Sequence, residues 1–303
     1  MKFLILYSLI VLNCVDVASG KVGVYLAPYR IQGNISFAAF TVKVEKYLQD
    51  AKKQGAKLVV FPELISFDLL EDGDDASLPT RLKKSASYFP QYLSWLEKFA
   101  EQNNISILGG TFHRQVGNHT FNTAILVTPD KSTYLQDKIY LTPWESKLGW
   151  KSGEKLKVHK LAFATIVMAT CYDVEFPQVS HLLASSQPEI ILVPSQTDDI
   201  FGFQRVLRTS MARAVEHMSY VVHVGATSEQ DARWHTYYGG GGVYTPQNNY
   251  FIGRELILKN NDPKGIFFEL DLEILRLARA QPNEIYPARD QQNRKIPPTV
   301  GNK

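Results

Sequence analysis

Three short runs of uninterrupted apolar residues set the main constraint on this chain: Leu58-Val59-Val60-Phe61, Ile166-Val167-Met168-Ala169 and Ile190-Ile191-Leu192-Val193. Each is too short for a helix and shows no alternation. A run of this kind reads as a strand buried on both faces, which is the signature of a largely parallel sheet covered by helices. The segments between them carry the helices. Residues 37–54 place Phe40, Val44, Tyr47, Leu48 and Ala51 on one face and close at Gly55. Residues 83–102 do the same with Tyr92, Leu93, Leu96, Phe99 and Ala100. Residues 178–186 and 202–218 predict two more helices.

The remaining segments fit the same rhythm. Residues 21–27 alternate and predict a first strand, and 105–111 and 220–226 predict others. Residues 120–128 and 132–137 flank Pro129-Asp130-Lys131 and predict a hairpin. The acidic stretch 68–80 predicts a surface loop, 140–154 a second loop, and Gly239 to Gly242 a tight turn with a close backbone approach. Residues 243–245 and 250–258 predict an antiparallel pair, 266–270 a late strand and 271–280 a short helix. No linker or internal repeat interrupts 21–281, so this span predicts a single α/β domain. Residues 282–303 are polar and Pro-rich and predict an extended C-terminal tail.

The first residues have another character. Met1-Lys2 is a short basic start, residues 3–12 are apolar, and Val17-Ala18-Ser19 precedes Gly20. This predicts a signal peptide over 1–20 and an exported, periplasmic or extracellular, chain. The apolar run is too short for a comfortable transmembrane span. Cleavage would remove Cys14 and leave Cys171 as the one thiol, reactive rather than disulfide-bonded. A lipid anchor at Cys14 is the alternative, and Asn13 before it fits that poorly. Asn34, Asn104 and Asn118 each open an N-x-Ser/Thr triplet. Over 303 residues, 33 Lys+Arg against 30 Asp+Glu give a net charge of +3 with no basic block, so nothing points to a nucleic-acid partner.

Three residues with chemistry to offer each follow a predicted strand. Glu63 follows 58–61, Lys138 follows 132–137, and Cys171 follows 161–170. Taken singly each has an ordinary explanation: a helix-start acid, a solvated hairpin end, a reduced core cysteine. Strand carboxyl ends in an α/β sheet converge, however, so the three can meet. A thiol needs a base or a nearby cation to act as a nucleophile. Glu63 can take its proton if burial raises the carboxyl pKa, and Lys138 can bear thiolate or oxyanion charge. The backbone N–H of Tyr172 is a second candidate oxyanion donor. Together they suit acyl transfer through a thioester.

Phe61-Pro62-Glu63-Leu64, Asp137-Lys138-Ile139-Tyr140-Leu141 with Pro143-Trp144-Glu145, and Cys171 to Pro177 (CYDVEFP) resemble the three signatures of the nitrilase, or carbon–nitrogen hydrolase, superfamily. Asn122-Thr123-Ala124, Val193-Pro194-Ser195 and the Met211 to Glu216 segment add to the resemblance, which runs from about residue 21 to 280. It implies an α-β-β-α sandwich that pairs into a homodimer or larger homo-oligomer. It also implies Glu63 as base, Lys138 as oxyanion stabiliser, Cys171 as nucleophile and Glu145 as a second glutamate, with no metal or organic cofactor. The implied substrate is a small-molecule amide or carbamoyl compound. Nitrile hydrolysis is disfavoured, because nitrile-hydrolysing members tend to have Trp-Glu where this chain has Tyr172-Asp173.

Trp144, Tyr172, Thr197 and Phe201 are candidate pocket residues by their places after strands or beside the nucleophile and loop acid. Arg205 and Arg208 suit either a substrate carboxylate or helix-surface ion pairs. Two other readings remain at the level of sequence. One is a non-catalytic binding protein on the same fold. The other is a papain-like Cys/His hydrolase using His181, His217 or His223, which lacks a Cys-Trp context near the mature N-terminus.

Overall fold

The computed structural model describes residues 20–70, 77–228, 237–258 and 263–290. The expected signal peptide, with Cys14, therefore lies outside the described residues except for Gly20. The strands in chain order are β1 (Lys21–Leu26), β2 (Arg30–Ile31), β3 (Leu58–Val60), β4 (Ser106–Val116), β5 (His119–Val127), β6 (Thr133–Asp137), β7 (Val158–Lys160), β8 (Thr165–Met168), β9 (Ile190–Ser195), β10 (Tyr220–Gly225), β11 (Thr227–Ser228), β12 (Gly240–Tyr244), β13 (Leu256–Leu258) and β14 (Ile266–Asp271). The helices are α1 (Phe37–Lys53), α2 (Leu78–Ala86), α3 (Phe89–Asn103), α4 (Pro143–Lys147), α5 (Pro177–Ser186), α6 (Ile200–His217), α7 (Leu272–Ala280) and α8 (Pro287–Asp290).

Two six-stranded sheets form, in the orders β14-β1-β3-β4-β5-β6 and β13-β12-β10-β9-β8-β7. The apolar runs make the central parallel pairs: β1 with β3, β3 with β4, β8 with β9 and β9 with β10. Alternation along each strand then dictates the layers. Val24, Leu26, Leu58 and Val60 of the first sheet share one buried cluster with Ile166, Ile190, Leu192 and Val222 of the second, so the sheets pack face to face. The alternate residues Tyr25, Val59 and Phe61 face the opposite way, onto Phe40, Val44 and Leu48 of α1 and Tyr92 and Leu96 of α3. On the second sheet Val167, Ile191 and Val193 meet Val179 and Leu183 of α5 and Val206 and Ala214 of α6. The result is a four-layer α-β-β-α sandwich, the fold that the resemblance implies.

Local departures have local causes. The helix expected over 83–102 is two helices, α2 and α3. Pro90 lies in the first turn of α3, where its missing N–H costs nothing but where a helix cannot run through. Asp68, expected on a surface loop, is fully buried. Its carboxylate accepts hydrogen bonds from the Tyr29 hydroxyl, the Gln32 and Gly33 backbone N–H groups (2.6 and 2.9 Å) and Lys43 (2.7 Å). Residues 71–76 of that expected loop lie outside the described residues. The expected strand 161–170 shortens to β8, because a turn in which Leu161 N–H donates to Ala164 O (2.9 Å) brings the unanticipated β7 alongside.

The expected glycine turn is a strand. Gly240, Gly241 and Gly242 pair with Gly225, Val224 and His223 of β10. Gly241 has φ +148°, and a Cβ there would overlap the His223 carbonyl oxygen. The close approach was legible, its setting was not: only glycine lets this backbone pass. The tail is also corrected in part. Residues 287–290 form α8, with Tyr286 and Ala288 buried in the inter-sheet cluster and Arg279 and Arg289 packed on the Tyr286 ring. Residues 291–303 lie outside the described residues. Among the described residues no helix is long and apolar enough to cross a membrane.

Candidate functional site

Glu63, Lys138, Glu145 and Cys171 come together where the strand ends of the two sheets meet. Glu63 follows β3, and its N–H donates to Ser195 O at the end of β9 (3.3 Å), which joins the two sheets at this point. The turn that carries Glu63 packs against β4, where Thr111 N–H donates to Pro62 O (3.2 Å) and Thr111 Oγ1 accepts from Leu64 N–H (2.9 Å). Gly110, at φ +72°, permits this contact, since a Cβ there would overlap the Pro62 carbonyl oxygen. Lys138 follows β6, anchored by its N–H to Asn122 O (2.8 Å). Cys171 opens the 3-10 turn Cys171–Glu175 after β8.

Lys138 is 1% exposed and ion-paired twice, to Glu63 Oε1 at 2.8 Å and to Glu145 Oε2 at 2.9 Å. Asn122 Nδ2 donates to both carboxylates, at 2.8 Å to Glu63 and 2.7 Å to Glu145. The other Glu63 oxygen accepts from Gln196 N–H (2.9 Å). Glu145 is placed by its own helix start. It is the third residue of α4 in a capping box with Thr142, whose N–H and Oγ1 donate to Glu145 Oε2 at 2.8 and 2.9 Å. Buried charges persist only when paired and hydrogen-bonded, and this cluster meets that condition.

The electrostatics separate the two glutamates. Burial pushes the Glu63 carboxyl up, and the Lys138 ammonium only partly offsets it. Burial also disfavours the Glu145 carboxylate, but Lys138, Asn122 and Thr142 outweigh it and hold that carboxyl low. Burial works against the Lys138 ammonium too, yet the carboxylates of Glu63 and Glu145 keep it firmly protonated. The Cys171 thiol is pushed well up, first by burial and then by the Glu63 carboxylate. Burial thus favours the protonated thiol, whose Sγ donates to Gln196 O (3.6 Å).

Cys171 is 5% exposed and holds φ +46°, a left-handed conformation that a non-glycine residue keeps only where its surroundings impose it. Asp173 supplies part of that imposition, since its carboxylate accepts from Thr170 N–H at 3.1 Å. A cleft of about 630 Å³ opens onto the cluster, lined by Glu63, Lys138 and Glu145 with Phe67, Trp144, Tyr172, Gln196 and Tyr237. Glu175, Asp198 and Arg205 also line it, and Arg205 Nε donates to Glu175 (3.1 Å).

Of the expected pocket residues, Trp144 and Tyr172 line the cleft. Thr197 and Phe201 are not among its described lining. The Thr197 hydroxyl donates to Tyr238 O (3.1 Å), and Phe201 is 70% exposed on α6, because the helix turns that position outward. Arg208 pairs with Gln204 on its own helix. His181 is exposed on α5, and the other two candidate histidines are engaged elsewhere. His223 contacts Ser195 Oγ (2.7 Å) and Tyr244 OH (3.0 Å), and His217 contacts Ser180 Oγ (2.9 Å). Asn122 and Gln196 are among the polar residues to which the sequence assigned no role, with Thr142 and Asp173. Gln196 directly follows β9, so the strand-end rule that found Glu63 would have found it. Asn122 lies inside β5 and carries no such signal.

A profile of the carbon–nitrogen hydrolase family matches residues 23–248. A probable hydrolase of Bacillus subtilis, YhcX, is 29% identical over 257 residues, which cover 83% of this chain and 50% of that protein. The chain thus spans half the length of that relative. A deaminated glutathione amidase of Synechocystis sp. is 26% identical over 210 residues, covering 64% of this chain and 74% of that one. Among solved structures, Saccharomyces cerevisiae Nit3, a member of branch 10 of the nitrilase superfamily, superposes with a TM-score of 0.68 at 20% identity over 87% of this chain and 95% of its own.

Proposed function

Because this chain belongs to the carbon–nitrogen hydrolase family, we propose that it is a cofactor-independent amidohydrolase that cleaves a small linear amide or carbamoyl compound through a thioester on Cys171. The observation that carries this reading is the buried contact set in which one ammonium, Lys138, serves Glu63 and Glu145 beside the Cys171 thiol.

The chemistry follows from the protonation states. As Cys171 Sγ attacks the carbonyl carbon, its proton passes to Glu63, so no free thiolate has to pre-exist. The C–O double bond becomes an oxyanion, stabilised by the Lys138 ammonium and the Tyr172 N–H. Collapse breaks the C–N bond, and Glu63 returns the proton to the departing amine. Water then adds to the thioester with Glu63 again taking a proton, and the thiol leaves with the carboxylic acid as product. Glu145, bound by Thr142 and Asn122, fixes Lys138 and adds no proton transfer of its own.

A hydrolysis screen across primary amides, carbamoyl amines and nitriles, read as ammonia release, tests this. Amides or carbamoyl compounds should release ammonia and nitriles should lag. Added hydroxylamine should divert product to the hydroxamate, because it intercepts the acyl-enzyme. Absence of ammonia from every amide and carbamoyl compound would reject the reading. Export forms part of the same proposal, supported by the apolar residues 3–12 after Met1-Lys2. The intact mass of the secreted protein should begin at Gly20 or Lys21. Self-association into a homodimer or larger assembly is carried over from the family, and sedimentation of the purified protein reads it.

A further inference from the structure

We propose that Asp173 is a positioning residue that sets the distance between the Lys138 ammonium and the Cys171 sulfur. The inference rests on the thiol reading above but concerns a residue outside the described lining of the cleft. Asp173 is fully buried, two residues beyond Cys171. Its Oδ1 accepts from the backbone N–H of Ile139 (3.0 Å) and of Tyr140 (2.7 Å), the two residues that follow Lys138. Its Oδ2 accepts from Thr170 N–H (3.1 Å), the residue before Cys171. One carboxylate thus grips the chain on both sides: just after the lysine, and just before the cysteine.

A second contact joins the same two segments. The rings of Tyr140 and Phe176 stack with centroids 3.7 Å apart and planes 6° from parallel, and Tyr172 meets Phe176 edge-on at 4.8 Å. Lys138 and Cys171 come from different sheets, so without such ties their separation would depend on how the sheets seat against each other. A carboxylate is suited to the task because it accepts on both oxygens. An amide in its place presents N–H to one of the three donors and loses that bond. The left-handed φ of Cys171 also needs an external hold, and the Thr170 bond supplies one.

The test is the Asp173→Asn variant, read two ways. The first readout is the second-order rate constant for alkylation of Cys171 by iodoacetamide, with the Cys171→Ala protein giving the background. It needs no substrate, so it stands even if no amide is turned over. The second is the split between kcat and KM on whichever amide the enzyme accepts. We expect the alkylation rate constant and kcat to fall on the order of 30- to 100-fold, with KM within about 2-fold, because reacting groups misplaced by a fraction of an ångström cost rate and not binding. A merely structural role would lower the amount of folded protein and leave the rate constant per folded molecule unchanged, and that result overturns the proposal. Should Asp173→Asn fail to fold, Phe176→Leu loosens the same junction through the stack alone. A fall of about 5- to 10-fold supports the inference and an unchanged rate constant rejects it.

Discussion

Cys171→Ala should lose at least about 10⁴-fold in turnover while keeping its fold, since removing a covalent nucleophile takes away the reaction path and not one contact among many. The structural cost is small. The side chain is compact, the backbone at φ +46° is held by Asp173 through Thr170, and Ala169 N–H still donates to Leu192 O (2.9 Å). Deleting one buried sulfur should cost about 1 kcal/mol. Circular dichroism and thermal melting should therefore stay close to the parent while ammonia release disappears. Cys171→Ser should be nearly as inactive. A serine hydroxyl is far less acidic than a thiol, and Glu63 is set among groups suited to a proton leaving sulfur. Substrate binding should survive in both, because the described cleft wall consists of other residues. Undiminished ammonia release from purified Cys171→Ala would end the thioester mechanism.

What could be read from the sequence, and what could not, follows the range of the interactions involved. Apolar runs such as Leu58-Val59-Val60-Phe61 announce a buried strand because their burial is a local property of every residue in them, and Glu63 is found by looking just past such a run, beyond Pro62. The same rule found Lys138 and Cys171 and, applied to β9, would have found Gln196. Asn122 is different. It sits within β5 in the alternating pattern of a hairpin, and only the folded sheet places its amide between two glutamates drawn from 23 and 59 residues away in the chain. Asp68 failed for the opposite reason. Acidic neighbours suggest water, but four donors, Tyr29 before β2, Gln32 and Gly33 after it and Lys43 of α1, outweigh the cost of its burial. The glycine run failed because glycine punctuates turns far more often than it permits two strands to close on each other. Here φ near +150° and the neighbouring carbonyls decide, and neither is visible in the sequence.

Sheet pairing also explains why the cluster can be both buried and charged. Glu63 and Lys138 come from the first sheet and Cys171 and Gln196 from the second, so the site lies at the seam where strand ends offer free backbone donors and acceptors. Gln196 N–H and the Ser195 carbonyl are used this way, and the start of α4 adds the Thr142 N–H. A carboxylate in the middle of either sheet would find its backbone partners already taken by the ladder.

Lys138→Met should therefore be the most damaging conservative change to this seam. Methionine matches the length of the lysine stem, so packing is nearly preserved and the loss is one of charge. Glu63 and Glu145, each within 2.9 Å of the same ammonium and both bonded to Asn122, would face each other as two buried anions. Breaking a buried pair in this way costs about 3–5 kcal/mol, and loss of the oxyanion partner should lower turnover by a further 10²- to 10³-fold or more, on the order expected for an oxyanion donor. The pH dependence gives the decisive reading. In the parent, Lys138 titrates above its ordinary value, so its contribution is complete below the unfolded lysine pKa and is lost only as pH climbs through the folded one, in strong alkali. In the variant the carboxyl pKa values rise above their unfolded range of about 4.3. Protonation then relieves the repulsion fully below that value, and the relief is lost as pH rises through the shifted pKa. The gap in melting temperature between parent and Lys138→Met should accordingly be wide at pH 8 and narrow as pH falls toward 5. A gap of equal size at both pH values would mean that the ammonium does not hold these two carboxylates ionised. Lys138→Arg should not restore activity, because a planar guanidinium is too broad for a site that places two carboxylate oxygens around a single nitrogen.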